Sequence, residues 1–266
     1  VYIGEDAAGR AGHAEICVVE AGQGDDVIFD IFCADISEHW AAQEDAAAAI
    51  SSLETRLAGW RKFFQRESGL GRDDYVGLYG ELAFMEMAAN VGIPLATLVI
   101  AWHGMEATNQ DFLFGQDAVE VKTVTANDPD RIRITNVRQL DDTGLRNLFL
   151  LRLAFDFRQG SGRTLSQLVR ELMDMMTAHA PGCASPFGEK LLRAGFVLGA
   201  PHDLDDWGFT MRDSDVFRVR DGFPRLLEAD LPAGISDVAY TLNLSAAAPF
   251  HVVPSDLWTT GLSSHV

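Results

Sequence analysis

Three residues in the middle of the chain, Asp111, Glu120 and Lys122, have the types and the spacing of a divalent metal site. Two short apolar stretches lie between Asp111 and Lys122. They are joined by Gly115-Gln116, a two-residue loop with glycine first that predicts a type II′ hairpin. This loop fixes a register in which Asp111 faces Glu120, and alternation along a strand puts Glu120 and Lys122 on one face. Two carboxylates in cross-strand opposition repel each other, so a cation between them is expected.

The oxygen atoms of this hairpin suit Mg²⁺, which prefers hard oxygen ligands and keeps several waters. Asp111 and Glu120 are expected to supply carboxylates and Val121 a backbone carbonyl, and Mn²⁺ can substitute for Mg²⁺. Lys122 is then expected to orient, or to help deprotonate, a water whose pKa the metal lowers. The alternative is a surface Glu–Lys pair at the end of a hairpin. The valines on either side of the pair favour a buried strand, where charges need a partner or a metal.

A fourth acid, Glu81, lies in a predicted helix over residues 75–90. Its apolar neighbours Leu78, Leu82 and Met85 give this helix a buried side. An acid on the buried side is costly unless it is paired or bound to a metal, so Glu81 is a candidate metal ligand, directly or through water. The alternative is a solvent-facing acid near the helix N-terminus, where the helix dipole favours negative charge.

The distribution of charge gives two opposed indications about nucleic acid. The formal net charge of −18 counts against general affinity for nucleic acid, because non-specific binding is mostly the neutralisation of phosphates by basic side chains. A basic stretch nevertheless follows the hairpin, with five arginines against two aspartates: Arg131, Arg133, Arg138, Arg146 and Arg152, with Asp141 and Asp142. Arg131, Arg133 and Arg138 are candidates for contacts with DNA phosphates, and a solvated surface is the alternative.

The composition is that of an ordinary globular protein. The chain has 266 residues, of which 47% are hydrophobic and 23% charged, enough for one large domain or two small ones. No apolar run reaches the roughly 18 residues of a transmembrane helix. No basic-then-apolar leader follows Val1, so no signal peptide is expected. The three cysteines form no CxxC pair, which indicates reduced thiols and a cytoplasmic location.

Periodicity and turn residues divide the chain into three regions. Residues 1–68 are predicted to be a β-rich region with strands at 14–19 and 27–32, followed by a helix over 44–65. Residues 69–158 are predicted to form the core that holds the candidate site. Besides helix 75–90 and the hairpin, this core should contain a strand or short helix at 95–102, a strand at 131–135, a short helix at 136–140 carrying Gln139, and a buried strand at 147–155.

The third region, residues 159–266, is predicted to be an α/β extension that can pack with the core as one domain. Its elements are a helix at 165–178, a short helix at 187–194, strands at 196–198 and 238–244, and a hairpin at 209–219 around Asp213-Ser214. Two helices followed by a hairpin suggest a winged-helix arrangement.

The order of the site residues, with an acid on a helix, Asp on one strand and Glu-x-Lys on the next, is that of PD-(D/E)XK nucleases. The sequence also resembles a bacterial family of largely uncharacterised proteins that carry this motif and occur in phage-defence and restriction gene clusters. The resemblance covers roughly residues 75–245. Its segments are Gly77–Leu82, Trp102–Gly104, Asp111-Phe112, Val119–Thr123 and Gln139-Leu140, with Phe223-Pro224, Leu231–Ile235 and Tyr240.

This resemblance implies an α/β fold with a restriction-endonuclease-like core, in which helices flank a mixed β-sheet, and with N-terminal β-rich and C-terminal α/β extensions. The implied catalytic residues are Glu81, Asp111, Glu120 and Lys122, with Gln139 as an auxiliary polar residue. One departure is Gln110, which stands where the name of the motif has proline. The implied activity is Mg²⁺-dependent hydrolysis of DNA in phage defence or restriction.

Two other functions stay open on the sequence. A nuclease fold without activity would be a scaffold or DNA-binding subunit of a multi-protein defence complex, and the charge of −18 favours protein partners. Further copies of the chain also stay open as partners. A transcriptional regulator would use the winged-helix segment after residue 163. Other chemistries lack their motifs: GxxxxGK[ST], a GxGxxG after a strand and GxSxG are missing, and the seven histidines have no metal-ligand spacing.

Overall fold

The computed structural model describes residues 2–5, 14–17, 26–41, 45–65, 70–104, 109–125 and 130–262. The chain divides into two compact units, residues 1–64 and 65–266, and the second unit contains all of the candidate site residues. Within the described ranges, no helix has both the length and the hydrophobicity needed to cross a bilayer.

The first unit is helical, and the prediction of a β-rich region is wrong. A short antiparallel pair, β1 (Tyr2–Glu5) and β2 (Ala14–Cys17), precedes two long helices, α1 (Asp26–Ala41) and α2 (Ala46–Gln65). The predicted strand at 27–32 is the beginning of α1, whereas the predicted helix at 44–65 is confirmed as α2. Residues 18–25, with the end of the first predicted strand, lie outside the described residues.

The spacing of buried residues explains why the first long element is a helix. Phe32 and Ile36, one turn apart, are both buried, and Phe32 packs edge-on against Trp60 with ring centroids 5.2 Å apart. Asp35 accepts hydrogen bonds from Arg56 and Trp60 of the second helix. Ala34, which a strand would place on the same face as Phe32 and Ile36, is exposed, so the pattern of burial fits one face of a helix and outweighs the β-branched residues at the beginning of the run.

The second unit is built on a five-stranded mixed sheet. In spatial order its strands are β3 (Phe112–Phe114), β4 (Asp117–Val124), β6 (Asn147–Gln159), β7 (Trp207–Val219) and β9 (His251–Val252). β4 and β6 are parallel, and the other neighbouring pairs are antiparallel. The prediction of an α/β fold with a mixed sheet and helices is confirmed.

The two faces of this sheet are covered differently. One face packs against four helices: α3 (Arg72–Asn90), α4 (Leu95–Ala101), α5 (Leu165–His179) and α6 (Ala184–Ala194). The other face packs against a separate antiparallel ribbon of two strands, β5 (Arg131–Ile134) and β8 (Tyr240–Asn243). Side chains alternate along β4, so Val119 and Val121 lie on the helical side and Ala118 and Val124 on the ribbon side.

Shorter helical segments connect these elements. They are the 3₁₀ turns Val137–Leu140, Pro181–Cys183, Glu228–Asp230 and Leu244–Phe250, the short helix α7 (Pro254–Asp256) and a π-helical turn, Leu257–Gly261. The first of these turns confirms the short helix predicted to carry Gln139. Residues 196–198, predicted as a strand, form none, because they follow the left-handed Gly195 that ends α6 and run into a loop.

The central hairpin has the predicted register. Its pairs are Phe112 with Val119, Leu113 with Ala118 and Phe114 with Asp117. Gly115 has a φ of +65°, whereas the φ of Gln116 is not positive, which is the sign pattern of a type II′ turn. The strand pairing ends at Phe112, so Asp111 lies immediately outside it rather than in a formal pair with Glu120.

The hairpin predicted at residues 209–219 is wrong. These residues belong to the single strand β7, which pairs with β6 along nearly all of its length. The pairing skips Arg212, so the turn-forming residues Asp213-Ser214 lie beside a β-bulge rather than in a turn. This segment therefore supplies no wing for a winged helix.

Helix α3 approaches β4 closely at Gly80. A Cβ atom on Gly80 would lie 1.7 Å from Thr123 Oγ1 and 3.0 Å from Thr123 Cβ. At Gly77, on the same helix, a Cβ atom would meet nothing within 4 Å beyond the helix itself. The missing side chain at Gly80 thus sets the distance between the helix that carries Glu81 and the strand that carries Glu120.

Replacing Gly80 by alanine should destabilise the second unit, because the new methyl group overlaps Thr123. Overpacking of this kind costs about 1–3 kcal/mol, and the free energy of unfolding in urea should fall by that amount. Gly77→Ala is the matched control and should be neutral or stabilising by up to about 1 kcal/mol, because alanine favours a helix and meets no obstacle. Equal stability of the two variants would contradict the close packing of α3 on β4.

Candidate functional site

The predicted site residues gather where one edge of β4 has no partner strand. β3 pairs with β4 only as far as Val119, and beyond it this edge has no strand partner in the described part of the chain. β6 covers the opposite edge along the whole of β4. The open edge at residues 120–124 is called the notch below. Glu120 and Lys122 belong to it, and Asp111 lies beside it, immediately before β3.

The carboxylate of Asp111 is hydrogen-bonded to the backbone of the notch. Its Oδ2 accepts a hydrogen bond from the backbone N–H of Val121 at 2.8 Å. The N–H and C=O of one strand residue point to the same side, so the Val121 carbonyl is also directed to the notch rather than to β6. A metal-ligand role for this carbonyl, which stays a prediction, requires that direction.

Glu120 and Lys122 form a buried ion pair. Glu120 is fully buried, and its Oε1 lies 2.6 Å from Nζ of Lys122, a residue whose side chain is 15% exposed. Neither carboxylate oxygen of Glu120 has a hydrogen bond of good geometry. The alternative of a solvated surface pair therefore does not describe these two residues.

Gln139 holds Lys122 in place. Its side-chain Oε1 accepts hydrogen bonds from the N–H of Thr135 at 3.0 Å and from the Thr135 hydroxyl at 3.2 Å. The same oxygen accepts from Lys122 Nζ at 3.2 Å. Gln139 thus links the end of β5 to the notch, and Thr135 is a supporting residue that the sequence did not indicate.

Glu81 reaches the same group of acids from α3. The side chain is partly buried, and its Oε2 accepts a hydrogen bond from the indole N–H of Trp102 at 2.7 Å. The alternative of a solvent-facing acid at the beginning of the helix is therefore not what the fold produces. The pairing of Trp102 with Glu81 was missed by sequence reasoning, although Trp102 was among the residues that carried the family resemblance.

Burial raises the pKa of all three acids. For Glu81, burial is the main cause and the charge of Asp111 adds to it, which puts the pKa well above its ordinary value. For Glu120, burial and then the charge of Asp111 raise the pKa to about 8. Burial also raises the pKa of Asp111, although Lys122 and the Val121 N–H act in the opposite direction. Joint ionisation of these acids is therefore unfavourable unless a further cation joins them.

Lys122 keeps its proton in this setting. Burial by itself lowers the pKa of Lys122, but the charges of Glu120 and Asp111 together outweigh burial and leave that pKa above its ordinary value. The side chain is therefore an ammonium group at neutral pH as long as both acids act on it.

The donor atoms at the notch fit a small hard cation. Two carboxylates and one backbone carbonyl are directed there, and Lys122 is the charged partner of the buried Glu120 carboxylate. In the ranges that the structure describes, no three His, Cys, Asp or Glu side chains are grouped as a complete metal site. A site of one or two carboxylates completed by waters is the kind that Mg²⁺ uses.

The predicted basic stretch is not one continuous patch, because carboxylates engage three of its arginines. Arg138 donates two hydrogen bonds to Glu228, and Arg146 donates a hydrogen bond to Asp117. Arg152 is buried and donates hydrogen bonds to Asp213 and Asp215. Arg131 and Arg133 are exposed on β5. Of the three candidate phosphate contacts, two are thus open to solvent without an acidic partner in the described part of the chain, and Arg138 is bonded to a carboxylate.

Without divalent metal, Glu120 should make the protein less stable as the pH rises. An acid with a higher pKa in the folded state than in the unfolded state binds more protons when folded, so the free energy of unfolding falls between the two pKa values. For Glu120 these values are the ordinary 4.5 and about 8. In urea denaturation with EDTA, Glu120→Gln should therefore lose less stability than the wild type from about pH 5 to about pH 8.

Glu228→Gln is the control for this slope. Arg138 lowers the pKa of Glu228 below its ordinary 4.5, so this carboxyl has lost nearly all of its proton above about pH 5.5 in both states, and Glu228→Gln should leave the slope above that pH nearly unchanged. Identical slopes for the wild type and Glu120→Gln would contradict the buried character of the Glu120 carboxylate.

Comparison with known proteins identifies a family. The family model described as "Putative PD-(D/E)XK family member, (DUF4420)" matches residues 5–245, most of the chain. No curated protein and no solved structure matches the chain significantly. The site agrees with the nuclease-like fold that this description implies: an acid lies on α3, an aspartate precedes β3, and Glu-x-Lys lies on β4. The chain therefore belongs to the DUF4420 family of PD-(D/E)XK-type proteins.

Proposed function

We propose that this protein is a Mg²⁺-dependent nuclease that hydrolyses phosphodiester bonds of DNA, and that it acts in bacterial phage defence or restriction. The observation that carries the proposal is the notch, where Asp111, Glu120 and Lys122 meet at a buried, unpaired strand edge. Family membership supports a nuclease-like fold. The biological setting rests on the resemblance to proteins of defence and restriction gene clusters.

In this proposal the chain holds the metal with oxygen atoms. Asp111 and Glu120 supply carboxylates, the Val121 carbonyl is a third ligand, and Glu81 completes the site directly or through water. An all-oxygen set suits Mg²⁺ and also accepts Mn²⁺. When bound, the metal lowers the pKa of a coordinated water and offsets negative charge on the phosphate.

Lys122 lies where a residue could orient the attacking water or help to deprotonate it. Its ammonium group lies between Glu120 Oε1 and Gln139 Oε1, which fixes its direction. When a cation offsets the carboxylate charges that raise the pKa of Lys122, this pKa falls, because burial then dominates. Lys122 can then exchange a proton with water more readily, as a general base must.

We propose that DNA phosphates contact Arg131 and Arg133 on the outer side of the β5–β8 ribbon. The residues paired with them on β8, Asn243 and Thr241, are exposed and uncharged. The four side chains therefore form a basic and polar face, without a carboxylate from either strand. Arg138 is expected to contribute less, because Glu228 already neutralises it.

The basic face leads toward the candidate site. β5 ends at Ile134, and the next residue, Thr135, holds Gln139, which is bonded to Lys122. A DNA backbone that lies along the ribbon would therefore approach the notch at the end of β5. The remaining surface of a chain with net charge −18 repels phosphates, which would confine DNA to this approach.

The second candidate is a scaffold or DNA-binding subunit without catalytic activity. It would assemble with protein partners of a defence complex or with further copies of the chain. The net charge of −18 favours its assembly with other, basic proteins, because an acidic exterior is poorly suited to free DNA and to contact with equally acidic copies of the chain. The lack of a three-residue metal cluster in the described ranges also favours it. The transcriptional regulator loses its support, because residues 209–219 are one strand of the central sheet.

Asp111→Ala and Lys122→Ala should remove Mg²⁺-dependent cleavage of DNA. Loss of a metal ligand or of a proton-transfer group lowers such rates by a factor of roughly 100 or more. The measurement is single-turnover cleavage of supercoiled, linear double-stranded and single-stranded DNA with Mg²⁺, repeated with Mn²⁺.

Glu171→Ala is the control for these variants, because Glu171 is an exposed acid of α5 that pairs with Arg163 and is not part of the notch. It should cleave like the wild type. Equal cleavage by Asp111→Ala, Lys122→Ala and the wild type would overturn the catalytic assignment. Calorimetry with Mn²⁺ separates the two candidates, since a wild type that binds no metal at the notch favours the scaffold.

Arg131→Ala and Arg133→Ala should weaken DNA binding and make it less sensitive to salt. Each lost phosphate contact reduces the slope of log K against log salt concentration by about 0.9 for duplex DNA. Fluorescence anisotropy without divalent metal measures binding while it prevents cleavage.

Arg138→Ala is the matched control, because it removes the same charge from a side chain that Glu228 already neutralises. Its effect on affinity and on the salt slope should be clearly smaller. A loss equal to that of Arg133→Ala would show that the ribbon face has no special part in binding.

A further inference from the structure

We infer that Trp102 and Gly104 form a cradle that positions Glu81 for a divalent cation, so that Trp102 is a positioning residue of the site. The indole fixes Oε2 of Glu81 and leaves Oε1 as the oxygen for the cation or for a water bound to it. This inference rests on the proposed metal-dependent function. It gives a task to the Trp102–Gly104 segment, which neither the motif nor the family description explains.

The indole of Trp102 is itself held firmly. The residue is only 1% exposed, and its ring lies against Phe187 with ring centroids 5.7 Å apart. Its backbone forms an antiparallel bridge to Phe112, the first residue of β3, and its carbonyl accepts a hydrogen bond from Lys190. A donor held in this way by sheet, helix and core fixes the carboxylate that it contacts.

Gly104 makes room for this hydrogen bond. It has a φ of +48°, and a Cβ atom there would lie 2.9 Å from Trp102 Nε1 and 3.1 Å from Glu81 Oε2. Any side chain at this position would therefore press on both atoms of the bond. A left-handed glycine is needed here both for the backbone conformation and for the space.

The same turn holds the second acid of the site. The backbone N–H groups of His103 and Gly104 donate to the carbonyl of Asp111 at 2.8 and 3.3 Å. Residues 102–104 thus fix Glu81 through its side chain and Asp111 through its backbone. The relative position of these two acids depends on one short segment.

A second buried tryptophan, Trp60, provides a comparison with an indole–carboxylate hydrogen bond that is purely structural. Trp60 donates to Asp35 at 2.7 Å, the same distance as from Trp102 to Glu81. Asp35 also forms an ion pair with Arg56, so its charge is neutralised within the chain. Glu81 has no ion pair in the described part of the chain. A buried indole needs only a hydrogen-bond acceptor, which a neutral group could supply. The use of an acid without a cationic partner in the described part of the chain indicates that Glu81 receives its cation from solution.

The experiment compares Trp102→Phe with the wild type in calorimetric titrations with Mn²⁺. Phenylalanine keeps the packed ring and removes the N–H donor. Loss of a partner that orients a metal ligand weakens metal binding by about tenfold or more, and that is the expected change in Kd. Trp60→Phe, which removes the equivalent bond to Asp35, should leave the Kd for Mn²⁺ unchanged.

A double-mutant cycle with Glu81→Gln tests whether the effect passes through Glu81. In the Glu81→Gln background, Trp102→Phe should no longer change the Kd. If Trp102→Phe does not fold, as judged by near-ultraviolet circular dichroism, Gly104→Ala replaces it in the cycle because it crowds the same bond.

Three results would overturn the inference, and they are distinguishable from one another. A folded Trp102→Phe that binds Mn²⁺ as tightly as the wild type, or an effect that persists in Glu81→Gln, would leave Trp102 a packing residue while the metal site stands. A wild type that binds no Mn²⁺ would overturn the proposed metal-dependent function itself, and this inference with it.

Discussion

The unequal length of two neighbouring strands is the constraint on which the site depends. β3 has three residues and β4 has eight, so in the described part of the chain one edge of β4 is open at Glu120 and Lys122 while β6 keeps the other edge paired. An open edge leaves backbone groups without ladder partners. The carboxylate of Asp111 satisfies one of them, the N–H of Val121. The contact that satisfies this N–H therefore also brings a second acid close to Glu120.

Charge balance separates the notch from several other buried or partly buried acids in the described part of the chain. At three other buried or partly buried acids an arginine neutralises the charge: Asp35 with Arg56, Asp117 with Arg146, and Glu86 with Arg163. At the notch three acids share the ammonium group of Lys122, with no second basic partner among the described residues, and burial raises the pKa of each acid. Burial of uncompensated charge is costly, so natural proteins keep it mainly where a bound ion or a reaction uses it.

The elements around the notch have separate tasks. Helix α3 brings Glu81 close because Gly80 lets the helix lie against Thr123 of β4. On the other face of the sheet, the β5–β8 ribbon and the 3₁₀ turn that follows β5 bring Gln139 to Lys122. Segments that are far apart in sequence thus supply the acid, the ammonium group and its support, and the sheet holds them in a common frame.

The sequence by itself determined the hairpin, its register and the residues of the motif, because turn chemistry and strand alternation act between neighbours. It also indicated most helices and strands of the second unit. Only the tertiary structure decided that residues 27–32 are helical and that 209–219 form one bulged strand, since each depends on a distant partner. It also decided which arginines are neutralised and that Trp102 holds Glu81. Carboxylate partners 21 to 90 residues away in the chain make those contacts, and no local pattern encodes them.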